Sequence, residues 1–82
     1  MKYTLIQVIN EEVKILKENA TIEDFNKEKV ELEKTYKKEI IDDLEYGECK
    51  LANVLQVKSG YQLETKDKMI ILELKNSEAI NF

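Results

Sequence analysis

Two short runs on either side of Lys66–Asp67 fix how the second half of this chain pairs. With those two residues as a loop, Thr65 faces Lys68, Leu63 faces Ile70 and Tyr61 faces Leu72. Large apolar groups then lie opposite one another, and a slip of one residue would turn them to the other face. Lys-Asp is not a favoured type I′ pair, so a longer loop is compatible with the same pairing. An earlier hairpin follows from the same test. Lys58, Ser59 and Gly60 form a three-residue loop with Gly60 in the left-handed bulge position, which sets Val57 opposite Tyr61 and Leu55 opposite Leu63. The expectation is a three-stranded antiparallel β-meander with strands at about 51–57, 61–65 and 68–75. One face carries Leu51, Leu55, Val57, Tyr61, Leu63, Ile70, Leu72 and Leu74, interrupted by Asn53. The opposite face holds Val54, Met69 and Ile71 among polar residues, more apolar than a fully wet surface requires. These three are the candidate positions for self-association or for cover by Ala79-Ile80-Asn81-Phe82, the end of a tail at 76–82.

The first half reads as helical. Ile6, Ile9, Val13, Leu16 and Ala20 recur in steps of three and four, which predicts a helix at about 5–19. Thr4 with Gln7 fits a capping box, and Tyr3 with Val8 a hydrophobic staple. The stretch YTLIQVI is also rich in β-formers, so a strand at 3–9 competes, but the continuing stripe favours the helix. A second start lies at Thr21, with Asp24 as the capping-box acid and Ala20 with Phe25 as the staple. From there Ile22, Phe25, Leu32, Tyr36, Ile40 and Leu44 form a stripe, Lys29 laying its stem across the one polar gap. Gly47 is the natural stop, which predicts a helix at about 22–46. The expected fold is therefore α+β: an N-terminal helical hairpin followed by the meander, as one domain over residues 1–82. At this length the core is modest and the margin of stability small, so an oligomer fits.

Charge gives the sharpest functional clue. The chain has 13 basic and 17 acidic residues, and every basic residue is lysine. Residues 22–48 hold ten acids against five lysines, so the negative excess lies there. Asp42, Asp43 and Glu45 fall where the second helix would end, and acids at that end oppose the helix dipole. Glu39 and Asp43, four apart, add a like-charge pair. Local stability does not explain that arrangement. A docking surface for a basic protein partner does, with Glu39, Asp42, Asp43, Glu45 and Glu48 framing Tyr46 as a contact anchor. Inhibition by mimicry of a phosphate backbone is a special case.

Other chemistry finds little footing. There is no histidine, so the usual base near neutral pH is missing. Gly47 and Gly60 are the only glycines, too few for a phosphate-binding loop. One cysteine and no histidine cannot build a usual zinc set. The acids 42–48 match no calcium-loop spacing. Cys49 lacks a base to activate it and sits among acids, which do not favour a thiolate nucleophile. No catalytic residue, metal or cofactor is expected. Without arginine, nucleic-acid binding is disfavoured; its remaining form is a weak, lysine-mediated contact through Lys34 and Lys38. A lone cysteine fits a reducing, cytoplasmic setting. The N-terminus shows no signal peptide, and the longest apolar run, residues 69–72, is far short of a bilayer span. A noncatalytic interaction or regulatory domain is the expected role, with a self-assembling structural protein as the alternative.

Overall fold

In a computed structural model describing residues 1–80, the chain is mostly strand: one helix lies on one antiparallel sheet. The expected helical hairpin and three-stranded meander are not what it forms. Residues 5–19 are a β-hairpin, with β1 at Tyr3–Ile9 and β2 at Glu12–Lys17. Asn10 and Glu11 join them with φ of 47° and 74°, both positive as in the turns whose twist suits a two-residue hairpin. The stripe that suggested a helix belongs to two faces of that hairpin. Ile9 and Leu16 pack on the core, whereas Ile6 and Val13 point to the other side. The register of β1 with β2 shifts between Leu5 and Ile6. Leu16 is on the core side by alternation, and the bulge makes Lys17, next to it, the partner of Leu5, from where it pairs with Asp24 at 3.1 Å.

The start of the one helix is where its caps put it. Helix α1 spans Ile22–Thr35, with Thr21 as N-cap. The Thr21 side chain accepts from the Asp24 amide at 3.3 Å, and the Asp24 carboxylate accepts from the Thr21 amide at 2.8 Å. The Thr21 amide first, then Lys17, hold the Asp24 carboxyl below its ordinary range. Ala20 and Phe25 are both buried in the core. The helix stops eleven residues short of the expected end at 46, and Ile40–Tyr46 is strand β3 instead. Steps of four, as in Tyr36, Ile40 and Leu44, keep a residue on one face of a strand as well as of a helix, so they do not separate the two. The β-branched pair Ile40–Ile41 and the aromatic Tyr46 favour the strand, and pairing with β5 supplies its ladder.

The remaining strands are β4 at Cys49–Leu51, β5 at Val54–Thr65 and β6 at Met69–Asn76. No hairpin interrupts β5 at residues 58–60. It is a single strand of 12 residues, and Gly60 has no positive φ. The tight turn lies earlier, at Ala52–Asn53, where φ is 52° and 66°. The hairpin from β5 to β6 has the register its apolar residues require: Leu63 opposite Ile70 and Tyr61 opposite Leu72. After β6 a short 3-10 turn covers Ser77–Ala79; residues 81 and 82 of the expected tail lie outside the described residues.

All pairings are antiparallel, in the order β2-β1-β6-β5-β3, with β4 beside the first part of β5 on the same edge as β3. The helix connects the two edges by crossing one face. Phe25 and Leu32 enter a core with Leu5, Tyr61, Leu63, Ile70, Leu72 and Leu74. The last four are wholly buried, each worth roughly 1.5–3 kcal/mol of burial. Buried Asn76 is satisfied in place: its amide donates to the Leu55 carbonyl at 3.1 Å and its oxygen accepts from the Glu78 amide at 3.0 Å. Leu51, expected in the apolar face, is exposed on β4.

Candidate functional site

With the helix on one side, the other side of the sheet carries no second layer among the described residues. Three cross-strand rows describe it. The first runs Val13, Val8, Ile71, Gln62, Leu44 across β2, β1, β6, β5 and β3. The second runs Ile15, Ile6, Glu73, Gly60, Tyr46. The third is Met69, Glu64, Asp42. Val13 and Leu44 are more than half exposed, at 56% and 58%, and Ile15 is 38% exposed. Val8, Met69 and Ile71 are half-buried and, with Asn10 and Glu11, line a shallow depression of about 390 Å³. At the far end Thr4 and Ile6 are buried, and Ser77 Oγ lies 2.7 Å from Thr4 Oγ1.

The expected acidic cluster is divided by β3. The acids Asp42, Asp43 and Glu45 sit on an edge strand, not at a helix end, so the dipole conflict does not arise. Because neighbours on a strand alternate, Asp43 and Glu45 turn to the helix side and Asp42 to the bare side. Asp43 accepts a hydrogen bond from the Tyr61 hydroxyl at 3.3 Å. Glu45 pairs with Lys29, which also lies 3.6 Å from Glu33 and 5.3 Å from the Tyr61 ring centre. Burial first, then the Glu33 and Asp43 carboxylates and the Asp43 hydrogen bond, push the Tyr61 hydroxyl up to about 12. Glu39 lies in the turn between α1 and β3, its amide donating to the Tyr36 carbonyl at 2.7 Å, and Glu48 lies in the loop after β3. These acids therefore do not form one patch.

Tyr46 faces the bare side, where its ring lies over Gly60 and its hydroxyl donates to the Glu73 carboxylate. Burial, then the hydrogen bond and charge of Glu73, hold its hydroxyl well above the ordinary tyrosine range. Asp42 stands directly opposite Glu64, both exposed, and among the described residues neither has an ion-pair partner. Like charges in directly opposite positions destabilise a sheet. Among the described residues, no three potential metal ligands come together.

Of the three self-association candidates, Met69 and Ile71 are on the bare face. Val54 is not with them. It pairs with Leu51 at the opposite end of β5 from Glu64, the partner of Met69. Val8, Val13, Ile15 and Leu44 belong to the same face and were hidden inside the two expected helices. The β-former content of YTLIQVI was the available signal. No helix of the described residues is long and apolar enough to cross a membrane. The chain matches no protein-family model, no curated protein and no solved structure.

Proposed function

We propose that this chain is a noncatalytic interaction domain that docks its bare sheet face on a protein partner with a basic, partly apolar surface. The carrying observation is the Asp42–Glu64 pair, two opposed carboxylates with no cation among the described residues, beside the apolar row of Val8, Ile71 and Leu44. A lysine or arginine from a partner would relieve their repulsion, while the row supplies apolar contact. Tyr46, held by Glu73, gives the same face an aromatic anchor. Asp43 and Glu45 already have partners within the chain and contribute less than Asp42. Regulation by occluding the partner's own anion-binding surface is the form of this role that an acid-rich, arginine-free chain suits. The exposed lone thiol of Cys49 is compatible with a cytoplasmic setting.

The test is affinity capture from the source cell, quantified for wild type, for Asp42→Asn with Glu64→Gln, and for Ile71→Lys. Loss of a docking contact should reduce recovery of one basic partner roughly tenfold, about 1.4 kcal/mol, in each variant. Recovery with wild type should also fall with added salt. Undiminished recovery by both variants, with unchanged circular dichroism, would remove the proposal.

A further inference from the structure

Among the described residues the sheet has two edges without a partner strand, at β2 and at β3, and their charges differ. The β3 edge carries Asp42, Asp43 and Glu45, and its register shifts between Ile40 and Asp42. Charges and bulges of that kind keep an edge from pairing with another strand. The β2 edge carries Val13 and Ile15, both exposed. It also carries Glu12, Lys14 and Lys17, of which Lys17 pairs with Asp24, and a bulge at Leu16; unlike the three acids of β3, its charges are of both signs and can complement those of a second copy.

Backbone direction decides what this edge offers. The Asn10 amide donates to the Met69 carbonyl at 3.1 Å and the Ser77 amide to the Lys2 carbonyl at 3.0 Å. Even-numbered residues of β1 therefore turn their backbone groups to β6, and odd-numbered ones turn theirs to β2. Ile9 and Gln7 face Glu12 and Lys14, so those two are used inwardly. The amides and carbonyls of Val13 and Ile15 point outward.

We propose that a second copy of this chain pairs with the free edge of β2, antiparallel about a two-fold axis at Lys14, merging the two sheets into one. In this register Val13 of each copy faces Ile15 of the other, and both outward-facing residues exchange backbone hydrogen bonds. Four β-branched side chains then meet on the bare face. Glu12 of one copy lies diagonal to Lys14 of the other and offsets the Lys14–Lys14 approach. With the axis at Ile15 instead, Ile15 would meet its mate but Val13 would face Lys17 and Glu12 would pass the end of the ladder; with the axis at Val13, Glu12 would face Lys14 but Ile15 would fall opposite Glu11 in the turn. Such a contact is small, so the association is of the transient class. It leaves Asp42, Glu64 and Leu44 free and does not depend on the proposed heteropartner.

The test is positional cross-linking in a Cys49→Ser background. At the axis, Lys14 residues form a pair without backbone bonds, about 4.5 Å apart at Cα, within the range a disulfide spans. Lys14→Cys should cross-link rapidly on mild oxidation, whereas Glu12→Cys, roughly 13 Å from its symmetry mate, should not. Wild type should sediment as a dimer of rising fraction between about 1 μM and about 1 mM, with the Val13 and Ile15 amides gaining exchange protection in step. Val13→Pro removes only an outward donor, as edge strands tolerate, and should abolish the dimer; Asp42→Asn with Glu64→Gln should not. A monomer throughout that range, or equal cross-linking at positions 12 and 14, would overturn the proposal.

Discussion

Gly60 is where one missing side chain positions another. It lies inside β5 with its neighbour Tyr46 laid across it, and a methyl group there would overlap the ring. Gly60→Ala would gain about 0.5–1 kcal/mol of strand preference but lose about 1–3 kcal/mol to overpacking or to expulsion of the ring. The expected net effect is a loss of about 0–2.5 kcal/mol, read by denaturant unfolding. Tyr46 would also leave Glu73, so absorbance titration should find one tyrosine moved back down toward the ordinary range. An alanine variant as stable as wild type, with an unchanged titration, would contradict this packing. The role was not visible beforehand because it depends on a ring 14 positions earlier in the chain. Read locally, a glycine after Lys58-Ser59 looks like a turn residue. Asn76 is similar: its partners, Leu55 and Glu78, are fixed only once β5 and β6 are side by side.

Between residues and the whole sheet, the turns set the hairpins, and here two of them use residues ill-suited to left-handed backbone. Glu11, at φ 74°, occupies a position where glycine carries no steric cost. Glu11→Gly should raise stability by about 0.5–1 kcal/mol, seen as a higher thermal midpoint; a lower midpoint would show that the Glu11 side chain supports the hairpin. The elements legible in the sequence were those whose signals are local. The box of Thr21 and Asp24 located the start of α1, and facing leucines and isoleucines set the register of β5 with β6. The elements lost were those whose signals are shared between periodicities. Ile6, Ile9, Val13 and Leu16 imitate a helical stripe only because a turn folds the chain back between Ile9 and Val13. Tyr36, Ile40 and Leu44 imitate one because a step of four suits either geometry. The acidic site followed the helix error: carboxylates that would have lain together round a helix end are sent by strand alternation to opposite sides of a sheet.

At the scale of the molecule, the two high-titrating tyrosines make stability depend on pH. An unfolded chain releases the tyrosine proton near 10, whereas folded Tyr61 keeps it to about 12 and Tyr46 beyond that. Below about pH 10 both states hold the proton and these groups add no slope. Above it the unfolded chain binds fewer protons, so stability should fall as pH rises toward 12. Denaturant midpoints measured across that window check the sign, and Tyr61→Phe should flatten the decline. A midpoint that holds steady to pH 12 in wild type would argue that neither hydroxyl is shielded. The middle of the sheet joins strands far apart in sequence, since β1 and β6 lie side by side there. On a ribosome, β1 would emerge first and have only β2 beside it, and a lone hairpin is marginal in water. The centre of the molecule stays open until Met69–Asn76 clears the exit tunnel, so a message cut short before that strand would leave a chain with little defence against proteases.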